Sequence, residues 1–188
     1  MITDDDGSTE GWDGAADEWL VRRARGGDVD AYEVLVRRHR LRIFRIALRM
    51  LGDRDEAEDV TQDVVIQVWL SLTSFSGASA FTTWLYRIVV NRCLNRVRRM
   101  PVTRPVLDDD PPAVAGAEET VIANERLQAT VAAIAELPPD QRAVLVLHQL
   151  EGLSYRQVAA VVGISEDAVR GRLHRAQRAL LDTLRRWS

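Results

Sequence analysis

The sequence predicts an all-α protein of two small helical domains joined by a flexible linker, and three observations carry that prediction. Apolar residues recur at helical spacing over long stretches, with no convincing apolar–polar alternation that would mark a strand. Pro101, Pro105, Pro111 and Pro112 crowd the middle of the chain beside Asp108-Asp109-Asp110, and proline there interrupts any helix. The 188 residues accommodate one large domain or two of roughly 80 residues each, and the interruption favours two. The expected division is an acidic tail over 1–17, a first domain over 18–100, a linker over 101–117 and a second domain over 118–188.

Asp30 and Glu33 form a capping pair that opens a helix running to about Leu51, where Gly52 fits the stop. Asp53 and Asp55 start a second helix through Leu72, their charges favourable at its N-terminal dipole. A loop from Thr73 to Ser79 leads to a third helix from about Ala80 to Arg99. Beyond the linker a helix is expected from about Glu118 to Leu137, ended by Pro138-Pro139. Residues 140–186 then read as a helix-turn-helix. An apolar helix holding Val144, Leu145 and Leu147 is broken by Gly152. Ser154 and Gln157 form a capping box for a short helix to Val162, and Gly163 supplies the turn. Ser165 caps a long final helix, on which Val169, Leu173, Ala176 and Leu180 make one buried stripe.

The formal charge of −3 conceals segregation. Residues 1–19 carry seven acids and no base, whereas residues 20–100 carry 15 Arg against nine acids. Residues 101–120 return to −4, the remainder is +2, and from Arg170 onward six Arg face one acid, Asp182. Two basic blocks set apart by acidic segments are a nucleic-acid signature. All basic residues are Arg, which suits planar contacts to phosphate and guanine and is equally expected of a GC-rich genome.

On the third helix Tyr86, Val90, Cys93 and Val97 form the apolar stripe. Roughly opposite lie Trp84, Arg87, Asn91, Asn95 and Arg98. An aromatic ring, two amides and guanidiniums in one row suit single-stranded DNA, where a base stacks and its edge is read by amides. Burial of Trp84 in the core remains the other reading. The preceding loop, Phe75-Ser76-Gly77, is placed to close a pocket around such a base. On the second helix Asp59, Gln62, Asp63 and Ile66 follow i, i+3, i+4, i+7. Periodicity does not choose between ordinary solvated surface and a docking face for a protein. On the final helix Arg170, Arg172, His174, Arg175 and Arg178 leave the buried stripe, and the N-terminal half of such a helix enters the major groove.

These residues carry a resemblance. The segments Asp59-Val60-Thr61-Gln62-Asp63, Phe75-Ser76-Gly77 and Phe81 through Asn91 resemble region 2 of the extracytoplasmic-function (ECF) sigma factors of the sigma-70 family. Leu137 through Arg142, Glu151 through Tyr155 and Val169 through Ala176 resemble their region 4. The likeness spans about residues 18–186. It implies a subunit that binds core RNA polymerase and directs it to promoters. Asp59, Gln62 and Asp63 match the face that docks on the clamp helices of β′. Phe75, Asn91 and Asn95 match the pocket for a flipped base of the −10 element, with Ser76, Gly77, Trp84 and Arg87 around it. Ser165, Arg170, Gly171, Arg172, His174 and Arg175 would serve the −35 element, with region 4 seated on the β flap. The resemblance further implies an anti-sigma factor as partner, no cofactor, and residence in the cytoplasm on the nucleoid. Asp63 stands where Glu is frequent, Thr82 and Arg92 vary within the −10 helix, and Gly171 replaces a frequent Ser. The acidic tail is longer than the family requires.

Two other classes are weaker. A stand-alone helix-turn-helix regulator would bind duplex DNA tightly without polymerase. For an enzyme, His39, His148 and His174 are scattered, with no carboxylate or nucleophile at recognisable spacing, and no Gly-rich phosphate loop appears. No apolar run approaches the length of about 20 residues that spans a membrane. The N-terminus lacks a signal-peptide pattern, and Cys93, alone, excludes an internal disulfide or a Cys-rich metal site.

Overall fold

The computed structural model describes residue 12, residues 14–99 and residues 130–187. Among these the architecture is all-α, without a strand. The expected linker over 101–117 and most of the helix expected from Glu118 lie outside the described residues; residues 130–135 are helical.

The first unit comprises α1 (Asp17–Arg25), α2 (Val29–Leu51), α3 (Arg54–Ser71) and α4 (Phe81–Arg99). Helix α1 was not anticipated as a helix, although its signals are present. Asp17 and Glu18 occupy the first turn, Arg22, Arg23 and Arg25 the last, and Leu20, Val21 and Ala24 are buried. Helix α2 begins earlier than the Asp30–Glu33 pair suggested. Its cap is Asp28, whose carboxylate accepts the Ala31 N–H at 3.0 Å. Two residues of chain shift the cap because Gly26-Gly27 end α1 just upstream, and Asp28 is the first side chain able to accept. Gly52 closes α2 in the left-handed region at φ 73°, and Asp53 caps α3 by accepting from Glu56. Helix α3 gives way at Leu72–Ser74 to a 3-10 turn that feeds the loop before α4.

The second unit comprises α5 (Pro139–Leu145), a π-turn (Val146–Leu150), α6 (Tyr155–Val162) and α7 (Glu166–Trp187). The capping box of α6 is complete: Ser154 accepts the Gln157 N–H while Gln157 accepts the Ser154 N–H. Gly163 takes φ 76°, a conformation costly for a side chain with a Cβ. Ser165 Oγ accepts the Ala168 N–H at 3.2 Å, opening α7. Val169, Leu173 and Ala176 are buried and Leu180 is half-buried, so the expected stripe forms.

Helix α1 is fastened by one carboxylate. Asp17 holds His39 Nε2 at 2.7 Å and Arg38 Nη1 at 2.5 Å, and His39 lies buried against Phe81. The His39 hydrogen bond, ahead of the Arg38 contact, holds the Asp17 carboxyl below its ordinary range, against the upward push of burial. A carboxyl depressed in the folded state stabilises above its unfolded value and loses that contribution as pH falls through the lowered one. Acidification below about pH 4 should therefore loosen α1 before the rest unfolds. Hydrogen exchange at Leu20 against pH measures this, and an Asp17→Asn chain should lack the acid step.

The two units pack against each other. Helix α4 lies against α5 and α6, and α2 meets α5 and the π-turn. The Glu151 carboxylate, 3% exposed, accepts from Arg42 at 3.1 Å and Arg49 at 3.0 Å, both on α2. Arg142 on α5 is buried and donates to the carbonyls of Met50, Ala135 and Leu137. Burial pushes its guanidinium down to about 10. Arg87 Nη2 donates to the Ala160 carbonyl at 2.6 Å. Helical periodicity reports that a face is apolar but not which partner it meets, so this joint was invisible in the sequence.

Candidate nucleic-acid interface

Three surfaces gather the residues singled out from the sequence. The first lies along α4 and the loop before it. At 100° per residue, Trp84, Arg87, Asn91, Asn95 and Arg98 fall within one narrow stripe. Arg87, Asn91, Asn95 and Arg98 are exposed, whereas Tyr86, Val90 and Cys93 on the opposite side are buried. Burial pushes the Cys93 thiol up to about 12, which leaves it an inert core side chain.

Phe75 is 8% exposed and packs on Trp84 at 5.0 Å and Phe81 at 6.1 Å between ring centroids. Trp84 is half-buried on the aromatic cluster. Ser76 Oγ accepts the Ala78 N–H, and Gly77 turns the loop at φ 76°. The loop borders an open cleft of about 670 Å³, whose far wall is α1, with Arg22 and Arg25. Sequence reading missed those two guanidiniums because α1 itself was missed. Phe75 and Gly77 line the cleft, but Asn91 and Asn95 do not. They lie seven and eleven residues beyond Trp84, about 10 and 16 Å along the helix.

The second surface is the outer face of α3. Asp59 and Gln62 are exposed and Asp63 is half-buried. Asp63 pairs with Arg92 at 3.2 Å, and Asp59 with Arg96 at 3.5 Å, so acids of α3 face bases of α4. Such exposed pairs add little stability, about 0–1 kcal/mol each, and leave the acids available to another partner. The row continues into Ile66, 59% exposed, and Leu70, 72% exposed, beside Trp69, whose ring packs tilted on Tyr32. Leu70, at i+11 from Asp59, extends the face beyond what the sequence reading marked.

The third surface is α7. Arg170, Gly171, His174, Arg175 and Arg178 span about 140° of its circumference, and Arg172 falls outside that arc. Arg170, His174 and Arg175 are exposed. Arg172 is drawn back to Asp140 on α5 at 3.3 Å. A Cβ at Gly171 would meet Arg175 Nη1 at 3.5 Å, an ordinary contact, so Arg175 lies over the helix beside Gly171. Ser165 serves as the helix cap.

The three histidines have separate surroundings. His39 is buried with Asp17, His148 stacks on Tyr155, and His174 is exposed on α7. Among the described residues no group of three His, Cys, Asp or Glu converges as a metal site. Nor is any helix among them long and apolar enough to cross a membrane.

Comparison with known proteins follows the same division. Residues 35–100 match the family model of Sigma-70 region 2, and residues 127–180 that of Sigma-70, region 4. The chain is 35% identical over 176 residues to the RNA polymerase sigma-H factor of Pseudomonas aeruginosa, covering 87% of this chain and 91% of that protein. It is 32% identical to the ECF RNA polymerase sigma-E factor of Escherichia coli K12, covering 87% and 92%. The solved structure of CnrH in complex with the cytosolic domain of CnrY superposes with a TM-score of 0.72 at 28% identity, covering 92% of this chain and 99% of that one. RpoE from Bartonella quintana, solved with the anti-sigma factor NepR, shares the fold at a TM-score of 0.67 and 24% identity, covering 82% and 96%. A region 2 match upstream of the helix-turn-helix removes the stand-alone regulator, which would need only the second unit. With both regions matched in order and relatives above 30% identity along most of its length, the chain belongs to the ECF sigma factors of the sigma-70 family, transcription initiation factors and not enzymes.

Proposed function

We propose that the three surfaces divide the work of promoter recognition as follows. The exposed stripe of α4 (Arg87, Asn91, Asn95, with Trp84) and the loop Phe75-Ser76-Gly77 receive the unpaired strand of the −10 element. Phe75 and Trp84 supply the stacking floor, the amides read base edges, and Arg22 and Arg25 across the cleft hold phosphate. The arc of α7 carrying Arg170, Gly171, His174 and Arg175 enters the major groove of the −35 element. Arg172 supports that helix through Asp140. Asp59, Gln62 and Asp63, extended by Ile66 and Leu70, dock on the clamp helices of β′, and the second unit seats on the β flap. The protein acts in the cytoplasm, on the nucleoid with polymerase.

The observation that carries this reading is the α4 stripe. A helix packed on α2, α3, α5 and α6 still presents Asn91, Asn95 and Arg98 to solvent in one row. The joint between the units sets a condition. The two promoter boxes lie roughly 25 base pairs apart, about 85 Å at 3.4 Å per step. With α6 packed on α4 and Arg87 engaged by Ala160, the units must part before both boxes are held. Control by an anti-sigma factor is supported by the likeness to RpoE of Bartonella quintana, solved with the anti-sigma factor NepR.

A gel shift on promoter DNA with and without core polymerase tests the reading. Specific binding is expected only with core enzyme; equal binding without it would overturn the division. Asp63→Arg should weaken association with core polymerase about tenfold or more, since like charge opposed across an interface costs several kcal/mol. Unchanged affinity removes Asp63 from the docking face.

A further inference from the structure

Beneath the exposed arc of α7 lies a column of three side chains from three different elements. His148, in the π-turn, stacks on Tyr155, with centroids 4.6 Å apart and planes at 21°. Tyr155, the first residue of α6, lies under the guanidinium of Arg170, which sits 5.6 Å from its ring centroid. Arg170 Nη2 is held from the side by Asp167 at 2.6 Å. The base of the column is fixed by the backbone. His148 Nδ1 is 2.7 Å from the Leu153 carbonyl, which can only accept, so Nδ1 carries the hydrogen. Gly152, at φ 72°, turns the chain just before Leu153, whose carbonyl meets Nδ1 at the ring edge.

An exposed arginine ordinarily samples many rotamers and loses that freedom when it grips a base. Here the Tyr155 ring lies within cation–π reach of the Arg170 guanidinium and Asp167 pairs with it from the side, and the two contacts together narrow the rotamers it samples. Asp167 engages one nitrogen of the fork, and the remaining N–H groups stay available. A guanidinium so restrained favours one orientation of its donors, and bidentate reading of guanine N7 and O6 demands a set orientation. Tyr155 itself is half-buried and makes no claim to reach the groove.

We propose that Tyr155, carried on His148, is the positioning residue for Arg170 and so sets the selectivity of the −35 helix at one base pair. This rests on the reading that α7 enters the major groove. Stacking of a cation on an exposed ring is worth a factor of about two to five, and the selectivity should change by that factor.

The test uses holoenzyme, assembled from core polymerase and the full chain, on a library of promoters randomised through the −35 box. Arg170→Ala should flatten the preference at one base pair. Tyr155→Leu should reduce the preference at that same base pair about two- to fivefold, with thermal stability and affinity for core polymerase kept. Tyr155→Phe should restore it, because the ring and not the hydroxyl carries Arg170. On the Arg170→Ala background, Tyr155→Leu should add nothing. Should Tyr155→Leu fail to fold, His148→Gln, which retains a donor for Leu153 but removes the stacked ring, should show the same loss at the same base pair. Additive effects of Tyr155→Leu and Arg170→Ala, or a loss spread evenly over the box, would overturn the proposal. If Arg175→Ala alters selectivity while Arg170→Ala does not, the positioning role fails and the groove reading survives. If no α7 substitution alters selectivity, the groove reading itself fails.

Discussion

Arg142→Ala should lower the stability of the folded chain by about 3 kcal/mol, the largest loss expected from a single side chain here. The guanidinium is buried and spans the carbonyls of Met50, Ala135 and Leu137, one from the first unit and two from the second. Each carbonyl left without a donor costs about 1–3 kcal/mol, and the low end applies because water can enter the vacated space. Removing a buried charge also relieves desolvation, which the downward push on this group makes evident, and that relief keeps the sum from rising further. Arg142→Lys should not rescue, since one ammonium cannot fork across three acceptors. Urea unfolding measures both variants. A loss below about 1 kcal/mol for Arg142→Ala would mean that the carbonyls find other donors and that Arg142 is no cross-brace.

Asn91→Ala should slow promoter opening by a factor of about 5 to 150, the equivalent of losing one base contact of about 1–3 kcal/mol. The side chain is exposed on a helix in which Ala is well tolerated, so neither folding nor core binding should change. Asn95→Ala should act more weakly, because Asn95 lies a further turn from the aromatic floor of Phe75 and Trp84. Fluorescence of 2-aminopurine placed in the −10 element reports opening directly. Normal opening by the Asn91→Ala holoenzyme would remove Asn91 from base capture and leave the cleft beside Gly77 as the site.

Local signals in the chain were read well where the physics is local. The Ser154–Gln157 box, the left-handed turns at Gly52 and Gly163, the Ser165 cap and the buried stripe of Val169, Leu173 and Ala176 form as their spacing requires. These depend on neighbours within a few residues, and periodicity records them. Local reading erred at the start of α2. The cap was placed at Asp30, whereas the glycines that end α1 leave Asp28 as the first available acceptor. Missing α1 also hid Arg22 and Arg25 from the cleft they wall.

The amino-acid sequence by itself determined the helical class, the order of the elements, the two basic faces and the family, because each is written in spacing or in contiguous motif. Tertiary structure alone decided which residues on those faces remain available. It drew Arg172 back to Asp140, set Arg87 on Ala160, buried Glu151 between Arg42 and Arg49, and laid Arg170 on Tyr155. Those partners lie between 15 and 109 positions apart in the chain. A charged side chain takes its partner from whatever folding brings within a few ångströms, and distance in space leaves no trace in periodicity.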